Sequence, residues 1–162
     1  MGQVWRAYDE VLRRDVALKV IRPRSMSADA LQRFTQEAQV TGQLEHPHIV
    51  PVHDMGHLPN GAIFFTMKVV RGRSFSEVLT DMWASVESGE RTYDDAIVEL
   101  LRIIERVCEA LAFAHDRGVV HRDLKPDNVM VGEFGEVQVM DWGLARLVDQ
   151  ADLVSSVTSD RS

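Results

Sequence analysis

The run from Thr92 to Gly118, TYDDAIVELLRIIERVCEALAFAHDRG, constrains this chain more than any other segment. Apolar residues recur at Ile97, Leu100, Leu101, Ile104, Val107, Cys108, Leu111 and Ala112, the spacing of a helix with one apolar side. Thr92 with Asp95 three residues on resembles a capping box, and Gly118 stands where a left-handed cap would close the helix. A helix of this length draws its stability from packing, so the rest of the chain must supply a layer for it to bury against. Cys108 falls on the apolar side and is expected to be a buried, inert thiol. As the sole cysteine it has no internal disulfide partner, which suits a reducing setting.

The other segments read mostly as strands. VWRAY and DVALKVI are β-like and are separated by the charged segment DEVLRRD, which suits a hairpin. After Pro23, Leu31, Phe34, Ala38 and Leu44 lie close to helical spacing, with Ser27 as cap and Gly42 weakening the end. HPHIVPV and AIFFTMKVV read as two further strands around a turn at Leu58-Pro59-Asn60-Gly61. The strand pattern stops near Arg71-Gly72. Beyond the long helix, VMV and VQVM form a short pair joined by GEFGE. The fold class is therefore α+β, with a β-rich first part carrying one helix and a second part led by the long helix. At 162 residues, 45% hydrophobic and 27% charged, the chain has the size and composition of one globular domain. A formal net charge of −7 gives no basic field for nucleic acid or anionic lipid, so neither is expected as a partner. No apolar run approaches the roughly 20 residues of a membrane span. The expected location is cytoplasmic, with a membrane anchor elsewhere in a longer parent left open.

The stretch VVHRDLKPDNVMVGEFGEVQVMDWGLAR carries the chemistry. Asp123 is followed by Asn128 five residues on and by Asp141 eighteen residues on. One carboxylate can then serve as a base while an amide and a second carboxylate offer oxygen to a hard cation. Magnesium binds through one or two carboxylates plus substrate phosphates, which implies a nucleotide substrate.

HRDLKPDN followed by DWG resembles the catalytic signature of protein kinases, and the form HRDLKPDN resembles the serine/threonine branch. The resemblance implies a two-lobed fold using ATP and Mg²⁺ on protein hydroxyls. It makes Asp123 the catalytic base, Lys125 a neutraliser of the transferred phosphate, and Asn128 and Asp141 the magnesium ligands. Upstream, VALKV resembles the strand bearing the phosphate-contacting lysine, here Lys19, and Glu37 in RFTQEAQV matches its ion-pair partner. Gly2, Val4, Ala17, Met67, Lys68, Val70 and Met130 are then the residues expected around the nucleotide, with Lys68 to Val70 as the linker meeting the adenine edge. His46, His48, His53 and His57 cluster in sequence, yet HPHIV resembles the family's turn between helix and strand, which argues against zinc. His121 is expected to support the catalytic loop without acting as a base.

Three departures qualify the expectation. Only Gly2-Gln3-Val4 remains of the glycine-rich loop, so the first strand and two glycines are missing. No Ala-Pro-Glu motif follows, and the long helix is expected to leave part of its apolar face uncovered. Trp142 stands where the family usually has Phe, and its indole N–H needs a partner. The chain thus reads as a partial kinase domain: residues 1–70 form the first lobe, and residues 71–162 hold the linker, long helix, catalytic loop and start of the activation segment. This segment alone is expected to be inactive; a kinase-like binding module without turnover is the alternative. Ser155, Ser156, Thr158 and Ser159 are candidates for a phosphate that pairs with Arg122, Thr158 first among them.

Overall fold

The structure, a computed structural model, describes residues 3–21 and 27–147. Strands β1 (Gln3–Asp9) and β2 (Arg14–Ile21) form an antiparallel hairpin in which Val4 faces Lys19 and Arg6 faces Ala17. Its turn is closed by the Asp9 carboxylate, which accepts from the amides of Val11 and Leu12. Helix α1 (Ala28–Gln43) begins at Ser27, whose hydroxyl accepts from the Ala30 amide, as the sequence indicated. Strands β3 (Val52–His57) and β4 (Ile63–Lys68) complete a sheet of order β1-β2-β4-β3. Leu58 to Gly61 makes the connecting turn, with Gly61 at φ 80°, a left-handed conformation that glycine adopts freely.

HPHIVPV is not a strand along its length. His46 to Ile49 is a turn closed by the Ile49 amide donating to the His46 carbonyl at 3.0 Å, and β3 starts only at Val52. Pro47 explains the correction: its locked φ suits the second position of a turn, and it has no N–H to give a ladder.

Past the linker, β5 (Gly72–Ser74) leads into helix α2 (Phe75–Glu87), an element absent from the sequence reading. The signal for it was present. Ser74 and Glu77 form a reciprocal capping box at its start. Helix α3 (Tyr93–Asp116) is the long helix, capped by the Thr92 hydroxyl accepting from the Asp95 amide and followed by Gly118 at φ 70°. Then come β6 (Val119–Val120), a 3₁₀ turn at Pro126–Asn128, β7 (Val129–Gly132), β8 (Val137–Val139) and β9 (Arg146–Leu147). These pair as β5-β7-β8 and β6-β9.

Two cores result. One packs α1 on the four-stranded sheet through Ile21, Phe34, Ala38, Val50, Phe65 and Met67, with the rings of Phe34 and Phe65 5.0 Å apart. The other joins α2, α3, β7 and β8, and takes in Val40 and Leu44 from the last turns of α1. Helix α1 therefore belongs to both cores, which fixes its axis between them.

The buried side of α3 runs through Ala96, Ile103, Val107, Ala110 and Ala114. Cys108 is exposed, against the expectation of a buried thiol, and so are Leu101 at 57% and Ile104 at 41%. The apolar residues of α3 cover more than one contact face, and the described elements pack against only one of them. Part of the apolar side is left open, as the sequence led one to expect. Among the described residues no helix is long and apolar enough to cross a membrane.

Candidate active site

A cleft of about 480 Å³ opens between the two cores, lined by Val4, Lys19, Glu37, Asp123, Asp141 and Gly143 among others. Strand alternation explains its roof. Ala17 and Lys19 are two residues apart on β2, and their cross-strand partners are Met67 and Phe65 on β4 and Arg6 and Val4 on β1, so these side chains share one face of the sheet. The Lys19 ammonium lies 5.6 Å from the Phe65 ring centroid and donates to Glu37 Oε1 at 2.5 Å. It also stands 3.8 Å from Asp141 Oδ1. Burial raises the Glu37 carboxyl above its ordinary range; the Lys19 charge opposes this and Asp141 adds to it. Burial outweighs the ion pair here, and the Lys19 charge is what opposes it.

The floor is built by the loop from His121 to Asn128. His121 is buried, its ring 4.6 Å from that of Trp142, and its Nε2 bonds the Met140 carbonyl at 2.9 Å. A carbonyl only accepts, so Nε2 carries the proton and Nδ1 is left to accept from the Asp123 amide at 3.3 Å. Both ring nitrogens are thereby spent on backbone. His121 supports the loop, as the resemblance implied. Asn128 donates from Nδ2 to the Asp123 carbonyl at 2.7 Å and to its carboxylate at 3.1 Å, and Lys125 Nζ donates to the same carboxylate at 3.1 Å. The Lys125 hydrogen bond, with help from Asn128, holds the Asp123 carboxyl below its usual range.

Two residues here take left-handed backbone without being glycine: Arg122 at φ 65° and Asp141 at φ 56°. Such conformations cost about 1–3 kcal/mol each and persist where surrounding structure enforces them. Arg122 is held by its Nε donating to the Leu144 carbonyl at 2.7 Å, and Asp141 sits between Met140, whose amide bonds the Asn128 carbonyl at 2.8 Å, and the buried Trp142. The Trp142 indole finds its partner in the Val139 carbonyl at 3.4 Å. At Gly143 a Cβ would lie 3.2 Å from both Asp141 Oδ1 and Glu37 Oε2, so a larger residue there would press on these two carboxylates.

Not every expected residue lines the cleft. Lys68 and Val70 border a separate hollow of about 240 Å³ between the linker and the β7–β8 turn. Met130 sits half-buried in β7. Gly2 and the four candidate hydroxyls, Ser155, Ser156, Thr158 and Ser159, lie outside the described residues. Conversely, Ala30, Arg33 and Phe34 border the cleft and were not read from sequence. They share helical spacing with Glu37, so placing that glutamate in the site already placed its neighbours three, four and seven positions back.

The protein kinase domain family matches residues 1–161. The serine/threonine-protein kinase PknD of Protochlamydia amoebophila is 38% identical over 155 residues, covering 93% of this chain and 16% of that protein. Its namesakes from Chlamydia trachomatis serovar D and Chlamydia pneumoniae are 40% and 37% identical, each over 90% of this chain and 16% of their own length. The chain thus spans about a sixth of these relatives. With the matched family, the Lys19–Glu37 pair and the HRDLKPDN loop in agreement, the chain belongs to the protein kinase domain family.

Proposed function

We propose that this segment is the catalytic part of a serine/threonine protein kinase that moves the γ-phosphate of ATP to a protein hydroxyl. The observation that carries the reading is the convergence on one cleft of the Lys19–Glu37 pair, Asp141 beside the same ammonium, and Asp123 held by Lys125 and Asn128. In this reading residues 1–70 cover the nucleotide and residues 71–162 supply the catalytic loop. Phosphoryl transfer asks chiefly for positioning and charge neutralisation, and this site is built for both.

Asp123, kept ionised by its neighbours, accepts the proton of the incoming hydroxyl, and Lys125 offsets charge on the transferred group. Lys19, aligned by Glu37, anchors the nucleotide phosphates. The donor set suits magnesium: Asn128 spends its amide N–H groups on Asp123 and keeps its oxygen for a cation, and the Asp141 side chain is 47% exposed. When bound, the metal would neutralise phosphate charge. Ala17, Met67 and Val4 would flank the adenine, with the linker backbone at Lys68 to Val70 along its edge.

Radiolabelled ATP and a generic protein substrate, with the intact protein that carries this segment, test the reading. Asp123→Asn should lower phosphate transfer at least about 100-fold, the scale of a lost general base. Parental turnover in that variant would favour a binding module without catalysis.

A further inference from the structure

The turn between α1 and β3 holds two histidines that the catalytic reading does not use. His46 opens it, and its Nδ1 accepts from the His48 amide at 3.2 Å, two residues on, just as an Asn side chain closes its own turn. The Ile49 amide closes the same turn on the His46 carbonyl. From there the turn is stitched to β8. The Val139 amide donates to the His48 carbonyl at 2.8 Å, the Val50 amide to the Val139 carbonyl at 3.3 Å, and Gln138 Nε2 to the Pro47 carbonyl at 2.6 Å.

Helix α3 supplies the other wall. The His46 ring lies 4.9 Å from that of Phe113, whose face is covered by the Arg117 guanidinium at 3.6 Å. The charged and titratable groups about His46 are Glu109 and Arg117 of α3, the latter 3.6 Å from Asp116, and His48 of its own turn, with ring centroids 5.5 Å apart. From β8 the turn meets only carbonyls, amides and the Gln138 amide.

We propose that His46 is a positioning residue: neutral, it fixes the His46–Ile49 turn and with it the seating of α1 on β8 and α3, and protonated, it releases them. His48 is held by its own contacts: Nδ1 donates to the Val137 carbonyl at 3.0 Å and Nε2 lies 3.4 Å from Glu109 Oε2. A proton on His46 Nδ1 removes the acceptor that the His48 amide uses and adds positive charge near Arg117. Burial first, and then the neighbouring His48, lower the tendency of His46 to take that proton. The unfolded chain therefore binds it more readily, and the turn loses stability as pH falls below the ordinary histidine range of about 6.5.

Hydrogen exchange at the His48, Val50 and Val139 amides, corrected for intrinsic rates, tests this at about pH 7.5 and about pH 5.5, on either side of that range. The parent should lose protection at these amides at the acid value relative to the neutral one. His46→Asn keeps an acceptor without a proton switch and should hold its protection at both values. The loss in the parent should follow the His46 ring titration observed by NMR. Unchanged protection in the parent, an equal loss in His46→Asn, or a loss that does not track the His46 ring would each overturn the proposal. No turnover enters the measurement, so its outcome is separate from that of the phosphotransfer reading.

Discussion

Asp123 and Glu37 are both carboxylates of one cleft, yet their surroundings push them in opposite directions. Asp123 is lowered chiefly by the hydrogen bond from Lys125, so Lys125→Ala should move its titration up toward the ordinary carboxylate range, read from its side-chain carbon by NMR. Glu37 is raised chiefly by burial, with Lys19 opposing, so Lys19→Met should raise it further. The sign of the stability effect follows from the shift. A carboxyl whose folded pKa lies above its unfolded value contributes most when protonated, and loses that contribution as pH rises through the folded value. Lys19→Met should then cost about 1–3 kcal/mol near neutral pH, and less in mild acid where Glu37 takes a proton, measured by urea unfolding at several pH values. A cost that grows on acidification would contradict the assigned balance.

At the scale of elements, the ends of the helices and the placement of one indole hold the site's frame. Helix α2 starts at Ser74, whose hydroxyl accepts from the Glu77 amide. Ser74→Ala should destabilise by about 1 kcal/mol, the usual cost of a lost N-cap, and thermal unfolding would show it. Trp142 is 1% exposed and packs in the second core against His121. Trp142→Ala should cost about 3–5 kcal/mol through the cavity it leaves. The same change should loosen the catalytic loop, since the His121 ring loses its packing partner while its bonds to Met140 and Asp123 remain.

For the whole molecule, the open strip of α3 is the most consequential surface. Leu101, Ile104 and Cys108 follow one another at helical spacing and are all exposed in this chain. Cys108 should therefore react with a thiol reagent in the folded chain at a rate close to that of the unfolded one, within about tenfold, because exposure and not burial governs access. Protection by several orders of magnitude would mean that the strip is covered. A single helix shared by two cores also links the ends of the molecule. Phe34 and Ala38 sit in the sheet core and Val40 and Leu44 in the helical one, so a shift of α1 must disturb both.

Sequence by itself determined the elements whose signals are local. The period of α3, the caps at Ser27 and Thr92, the turn at Gly61 and the left-handed close at Gly118 depend on neighbouring residues and were legible as such. The grouping of the cleft's polar residues was legible too, because Asp123, Lys125 and Asn128 lie within one short loop and Asp141 follows its strand directly. Helix α2 went unread although Ser74 and Glu77 announced it. What only the tertiary structure decided is which surfaces meet. The exposure of Cys108 depends on how many neighbours reach α3, and strand pairing alone sets Lys19 across from Phe65. The left-handed backbone at Arg122 is likewise imposed from outside, since arginine does not favour it locally and the bond of its Nε to the Leu144 carbonyl holds it in place.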